Sequence, residues 1–66
     1  MAAGTYFRTK MLEYEKSLIV SLLQETNGNI REAAAKVDER RRVIYRILKR
    51  HGLNPNDFRM LGANPR

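Results

Sequence analysis

The sequence predicts an all-α domain of three helices, and three observations support this fold class. Apolar residues recur at helical spacing in three stretches that end near residues 26, 37 and 51. No stretch alternates apolar and polar residues for long enough to form a strand. The two prolines, Pro55 and Pro65, both follow the last of these stretches, so no proline interrupts a predicted helix.

The small size of the chain limits the stability that one copy can reach. A chain of 66 residues forms at most one domain, and such a domain is marginally stable alone. Disulfides and a structural metal cannot supply the missing stability, because the chain has no cysteine and one histidine. We therefore expect self-association. With no membrane-spanning apolar run and no signal peptide in view, we expect a cytoplasmic location.

The first predicted helix runs from about Thr9 to Thr26, with Thr5 as an alternative cap at its start, and residues 1–8 form an N-terminal extension. Gly28 ends this helix, because glycine accepts the left-handed conformation. The apolar stripe is wider than one short partner helix would cover. Six of its residues are Met11, Leu12, Leu18, Ile19, Leu22 and Leu23.

The second predicted helix follows Asn29, whose side chain can accept hydrogen bonds from the first free amides. Glu32 lies three residues later, as in a capping box. Ala33, Ala34 and Ala35 have little side-chain volume, so a neighbouring helix can approach closely.

The third predicted helix ends at His51, with Gly52 closing it and Leu53 folding back on Leu48. Its apolar stripe consists of Val43, Ile44, Ile47 and Leu48. His51 is predicted to interact with the last helix carbonyls. Residues 54–66 are predicted to form a turn followed by disorder, with Phe58 anchoring the segment to the body. The acids of the first helix, Glu13, Glu15 and Glu25, are interpreted as solubilising.

The net charge of +6 is concentrated in residues 29–52, which carry eight cations against three anions. Six of these cations lie in or beside the third helix: Arg40, Arg41, Arg42, Arg46, Lys49 and Arg50. A helix that is apolar on one side and cationic on the other indicates a polyanionic partner. Double-stranded DNA fits, because its major groove admits one α-helix. The alternative is the solvated surface of an ordinary three-helix bundle.

The spacing of Ala34, Asp38, Ile44 and Ile47 is typical of a helix-turn-helix. A small residue at Ala34 lets the next helix cross closely. Asp38 stands where the chain must turn sharply, through a positive φ that Asp tolerates better than most residues. The two isoleucines then anchor the second helix of the motif.

Taken as a set, these residues resemble the helix-turn-helix domain shared by Fis and the C-termini of NtrC-type activators, over about Tyr14 to Leu53. The matching residues are Glu15-Lys16, Ile19, Leu22-Leu23, Gly28-Asn29, Ala33-Ala34, Arg41, Tyr45-Arg46, Leu48-Lys49 and Gly52-Leu53. The resemblance implies a Fis-like homodimer joined through the six apolar residues of the first helix. Its two recognition helices would enter successive major grooves of a palindromic site at the bacterial nucleoid. Polymerase carrying sigma-54 would be a partner only through receiver and ATPase domains that this sequence does not contain.

The chain departs from the family pattern in the turn. Asp38, Glu39 and Arg40 replace the usual Gly-Ile-Ser, which makes Asp38 an alternative N-cap of the third helix. Val43 replaces the usual Thr and removes a hydroxyl contact to phosphate.

Arg40, Arg41 and Arg42 are predicted to contact bases, because the N-terminal end of a recognition helix reaches base edges and arginine matches guanine. The alternative for each is a phosphate contact or a salt bridge with Glu39. Contacts to DNA phosphates are predicted for Asn29, Arg31, Tyr45, Arg46, Lys49 and Arg50. For Tyr45 the alternative is a half-buried ring packed between helices.

No nucleophile–base pair, phosphate-binding glycine loop or metal-ligand cluster is visible in the sequence, so we expect no enzyme activity, cofactor or metal. The leading prediction is sequence-specific DNA binding as the DNA-binding domain of an NtrC-type activator. One alternative is a Fis-like nucleoid-associated protein that bends DNA. Another is a basic helical module that docks on an acidic protein or a lipid surface.

Overall fold

A computed structural model describes residues 3–59 of the chain. Within this range three α-helices are followed by a short 3-10 helix: α1 (Ala3–Thr26), α2 (Ile30–Lys36), α3 (Arg41–His51) and the 3-10 helix Pro55–Phe58. Residues 3–59 contain no β-strand, which confirms the all-α class. The disorder predicted at the end of the tail falls mostly on residues 60–66, which lie outside the described range.

Helix α1 begins at Ala3, so the predicted start near Thr9 is wrong and residues 3–8 are helical. The sequence prediction placed the start where the apolar periodicity began. The helix continues N-terminally of that point on exposed side chains such as Tyr6 and Phe7, and no proline interrupts it. At 24 residues α1 is about 36 Å long.

Helix α1 ends as predicted at Asn27-Gly28, where both residues are left-handed, with φ of 55° and 76°. The Gly28 amide donates to the Leu23 carbonyl at 2.9 Å, and the Asn27 amide donates to the Gln24 carbonyl at 3.4 Å. This pair of bonds is the Schellman arrangement, which satisfies carbonyls left free at a helix end. Asn27, one residue earlier than predicted, is the first left-handed residue.

Helix α2 is capped by Asn29, as predicted, with its Oδ1 accepting from the Glu32 amide at 3.1 Å. Asp38 has the expected positive φ, of 57°. The N-cap of α3 is Arg40, whose side chain makes no capping bond, so the alternative cap at Asp38 is not used. Asp38 instead closes α2, because its amide and that of Glu39 bond back to α2 carbonyls at 3.3 and 2.9 Å.

The core lies where the C-terminal half of α1 meets α2 and α3. Its buried residues are Ile19, Leu23, Ile30, Ala33, Ala34, Ile44 and Leu48. Ile47 and Leu53 are partly buried against this cluster, which confirms the predicted apolar side of α3. Phe58 of the 3-10 helix also packs there, so the predicted anchor of the tail is present.

Candidate nucleic-acid interface

Helix α3 presents its two sides to different surroundings. Ile44 and Leu48 are buried in the core. Arg42, Arg46 and Lys49 follow one another at spacings of four and three residues, so they share the opposite side of the helix, and all three are exposed. The core thus fixes α3 with a row of cations facing outward.

The N-terminal end of α3 adds further cations to this row. Arg40, Arg41 and Arg42 line a shallow concavity together with Arg31 of α2. Glu39 also lines it, but none of the ion pairs found among residues 3–59 joins an acid to these four arginines. The predicted alternative of a Glu39 salt bridge is therefore not seen in the described part of the chain.

A second concavity adjoins the first and shares two of its arginines. It is lined by Gly28, Asn29, Ile30, Arg31, Arg41, Tyr45, Pro55, Asn56 and Arg59. Tyr45 lines this concavity and is 53% exposed. The Oδ1 atom of Asn29 is occupied by the Glu32 amide, which leaves its NH2 group for other partners.

Arg50 lines neither of these concavities and contacts α1. Its Nη1 atom donates to both carboxylate oxygens of Glu15, at 2.8 Å each. His51 Nε2 lies 2.8 Å from Glu15 Oε1, and it must be the donor when that carboxylate is ionised. Glu15, Arg50 and His51 form a cluster, here called the α1–α3 clasp.

The clasp changes the ionisation of its carboxylate. The hydrogen bond from His51 is the main cause that lowers the pKa of Glu15 below the ordinary 4.5, and Arg50 adds to it against an opposing effect of burial. The predicted contact of His51 with the helix carbonyls is thus replaced by a bond to Glu15.

The interpretation of Glu15 as merely solubilising is wrong. Sequence reasoning missed the clasp because its members lie 35 and 36 residues apart. One signal was present: Glu15 precedes the core residue Ile19 by four positions, which places a carboxylate on the core side of α1.

The six apolar residues predicted to join two chains occupy different surroundings. Ile19 and Leu23 are 4% and 0% exposed, because they build the core of the chain itself. Leu22 is partly buried, whereas Met11, Leu12 and Leu18 are exposed. The exposed members of the set are the ones most open to another molecule.

Two aromatic residues outside the predicted set of six extend the exposed part of α1. Phe7, Met11, Tyr14 and Leu18 are 67%, 70%, 66% and 53% exposed. Their spacings of four, three and four residues form the stripe along which helices pair in coiled coils. We call these four residues the α1 stripe. The four- and three-residue spacing of the α1 stripe was visible in the sequence. The prediction did not separate these exposed residues from those that face the core.

An apolar groove borders the α1 stripe and shares Leu18 with it. Its apolar lining comes from α1, α3 and the residue that follows α2: Leu18, Ile19, Leu22, Val37, Val43, Ile44 and Ile47. Charged residues also line it, namely Glu15, Glu25, Lys36 and Glu39. The stripe and the groove meet at Leu18.

Two other classes of site are not found in residues 3–59. No group of three His, Cys, Asp or Glu side chains in this range is placed to hold a metal ion. None of the described helices combines the length and apolar character needed to cross a membrane.

Comparisons with known proteins give a partial match. Over 47 residues the chain is 38% identical to the transcriptional regulatory protein GlrR of Escherichia coli (strain K12). The transcriptional regulatory protein QseF of Escherichia coli O157:H7 matches to the same extent. The match covers 71% of this chain but 11% of each relative, so the chain spans about a tenth of their length.

No family model matches the chain, and no solved structure matches it. The chain therefore contains a region related in sequence to a short segment of bacterial transcriptional regulatory proteins.

Proposed function

We propose that the chain is a Fis-like helix-turn-helix domain of the NtrC type that binds specific sites in double-stranded DNA as a homodimer. The observation that carries this proposal is the placement of α3. Its apolar side is anchored in the core, and its outward side carries cations that no acid of the described residues neutralises. Helix α3 is the recognition helix and α2 is the helix that precedes it.

The N-terminal end of α3 is proposed to read bases. Arg40, Arg41 and Arg42 project from this end, where recognition helices reach base edges. A guanidinium that bonds both acceptors of guanine contributes about 1–3 kcal/mol of discrimination. The three arginines do not share one direction on a helix, so we expect them to contribute unequally.

Residues around the recognition helix are proposed to bind phosphates and fix its register. Arg46 and Lys49 lie on the outward side of α3, whereas Asn29, Arg31 and Tyr45 line the second concavity beside it. Arg50, also predicted to bind phosphate, is held by Glu15, and we assign it chiefly to the orientation of α3 against α1.

The homodimer is proposed to form through the α1 stripe and the adjoining groove. An exposed apolar surface of this kind on a small domain marks an interaction site. A second copy fits it, because a twofold dimer pairs the same surface from both chains. Such a dimer would place two recognition helices on a palindromic DNA site.

The biological role is inferred from the relatives. Both are named transcriptional regulatory proteins, and we propose that this chain likewise serves transcription regulation in the bacterial cytoplasm. As an NtrC-type module it would act on polymerase carrying sigma-54 through other domains, and we propose no enzymatic activity for the chain itself.

Selection of binding sites from random DNA duplexes tests the proposal. We expect a palindromic sequence, since the product reports specificity and twofold symmetry together. Arg41→Ala should relax the preference at one base position, whereas Lys49→Ala should weaken binding to all sequences alike. If both variants lost the same affinity on every duplex, base reading by Arg41 would be wrong.

Two outcomes would replace the proposal with an alternative. A large bend in bound DNA, with weak sequence preference, would indicate a Fis-like nucleoid-associated protein. Absence of any preference for duplex DNA over heparin at moderate salt would indicate a basic module for a different polyanionic partner.

A further inference from the structure

We propose that Arg59, in the segment after α3, makes an additional contact to a DNA backbone phosphate. This inference rests on the proposed function and adds a binding residue that lies beyond the region resembling the helix-turn-helix family. Four features support it: the attachment of the segment to the fold, the orientation of the Arg59 side chain, the continuity of the cationic surface and the lack of acids in the lining of the second concavity.

The segment that carries Arg59 is attached to the body at two points. Phe58 packs against the hydrophobic core. On the other side, Pro55 approaches Gly28 so closely that a Cβ atom at residue 28 would clash with the Pro55 carbonyl oxygen. The segment is therefore seated against the junction of α1 and α2.

The Arg59 side chain is oriented by its own segment. Its Nε atom donates to Asn56 Oδ1 at 3.1 Å. The Asn56 amide in turn donates to Asn54 Oδ1 at 2.9 Å, which caps the 3-10 helix. With Nε engaged, the terminal guanidinium nitrogens remain for a ligand. A side chain that is already oriented loses less entropy when it binds.

Arg59 continues the cationic surface of the proposed DNA interface. Arg31 and Arg41 line both concavities, so the arginines at the start of α3 and Arg59 belong to one surface. The second concavity contains these three arginines and no acidic residue in its lining. A polyanion that follows α3 would therefore find a further cation at this edge.

The chemistry and location favour a phosphate over a base. Arg59 lies outside α3, the only element proposed to enter the major groove. A residue beside the groove meets the sugar-phosphate backbone, which carries the charge but no sequence information. Each neutralised phosphate releases condensed counterions and adds about 0.9 to the slope of affinity against salt on logarithmic axes.

Salt titrations of DNA binding test the inference. The variants are Arg59→Gln and Arg59→Lys in the full chain, assayed on a selected site and on an unrelated duplex. We expect Arg59→Gln to weaken binding several-fold on both duplexes and to lower the salt slope by about 1. Arg59→Lys should keep most of the slope, because it keeps the charge.

Two further variants separate a local contact from a general charge effect. Lys16→Ala removes one exposed charge from α1 and should leave the slope unchanged. Asn56→Ala keeps the charge of Arg59 but releases its Nε atom. We therefore expect a smaller loss of DNA affinity than for Arg59→Gln. Circular dichroism of each variant controls for folding.

The results distinguish failure of this inference from failure of the proposed function. If the wild-type chain prefers the selected site but Arg59→Gln binds with unchanged slope, the Arg59 contact is overturned and the proposed function stands. If the wild-type chain binds no duplex, both are overturned.

Discussion

Three residues with left-handed backbones, Asn27, Asp38 and Gly52, end the three α-helices, with φ values of 55°, 57° and 67°. Each begins the same pair of backward hydrogen bonds from two successive amides. Only one of the three is glycine, so the other two positions retain some backbone strain. These turns set the directions in which α2 and α3 leave their predecessors.

Gly28 is subject to two constraints, because its φ is positive and the Pro55 carbonyl lies against it. Gly28→Ala should lower the free energy of unfolding by more than about 1 kcal/mol. Gly52→Ala is the matched control, since its φ is also positive but no atom lies within 4 Å of an added Cβ. Urea denaturation measures the free energy of unfolding of both variants. Equal destabilisation by the two substitutions would show that the close approach of Pro55 contributes nothing.

Asp38 closes α2 with a backbone that glycine adopts more easily. Asp38→Gly should therefore raise the free energy of unfolding by roughly 0.5 kcal/mol. Asp38→Val, which places a β-branched side chain on the same backbone, should destabilise the domain. Thermal unfolding should show that the glycine variant is the most stable, the wild type intermediate and the valine variant the least stable. A glycine variant less stable than the wild type would show that the Asp38 backbone is not strained.

Between elements, the α1–α3 clasp joins the middle of α1 to the last turn of the proposed recognition helix. One carboxylate receives both Arg50 and His51 at 2.8 Å. Arg50 follows the proposed phosphate contact Arg46 by one helical turn, but its guanidinium bonds Glu15 of α1. The clasp is therefore placed to set the orientation of α3 against α1.

The stability that the clasp contributes should depend on pH. The pKa of Glu15 is lowered on folding, so its contribution is present above the unfolded value of about 4.5 and is lost as pH falls through the folded value. Relative to the wild type, Glu15→Gln should lower Tm at neutral pH, and the difference should shrink in acid.

Glu13→Gln is the control for that pH series, because Glu13 is exposed and pairs only loosely with Lys10, at 3.7 Å. Its Tm should stay close to that of the wild type at neutral pH. A Tm difference for Glu15→Gln that stays constant from neutral to acid pH would rule out the ion pairs as its cause.

Local features of these elements were predictable from sequence, and long-range ones were not. The Asn29 cap, the turn at Asp38 and the Gly52 stop each depend on a few neighbouring residues, whose chemistry is visible in the sequence. The Glu15 clasp depends on how α3 crosses α1, which no local pattern specifies. The start of α1 was missed because the described side chains of its first turns, such as Tyr6 and Phe7, are exposed and give no core-facing periodicity.

At the scale of the whole molecule, residues 5–14 of α1 are exposed and the buried residues of this helix lie in its C-terminal half. Ile19 and Leu23 belong to the core, whereas the α1 stripe is exposed. A small domain with so much apolar surface in water is expected to associate. The proposed homodimer covers that surface and adds stability that one copy lacks.

Self-association through the stripe predicts that thermal stability depends on protein concentration, because dimer formation stabilises the folded state. Tm should rise with concentration for the wild type. Leu18→Glu should abolish that dependence and yield a monomer in analytical ultracentrifugation, since a carboxylate would enter the apolar interface.

Ser17→Glu is the matched control, because it adds the same charge at an exposed position one residue away from the stripe. Its dimer should persist. If Leu18→Glu and the wild type sediment alike, as dimers or as monomers, the α1 stripe does not join two copies.

The projecting first turns of α1 have a consequence for how such domains diversify. The described side chains there, such as Tyr6 and Phe7, are exposed and lie outside the surface proposed to bind DNA. In the proposed homodimer, substitutions at these positions would change which subunits pair with each other and leave the recognised sequence the same. The choice of partner subunit and the choice of DNA site would then evolve on separate parts of one short polypeptide.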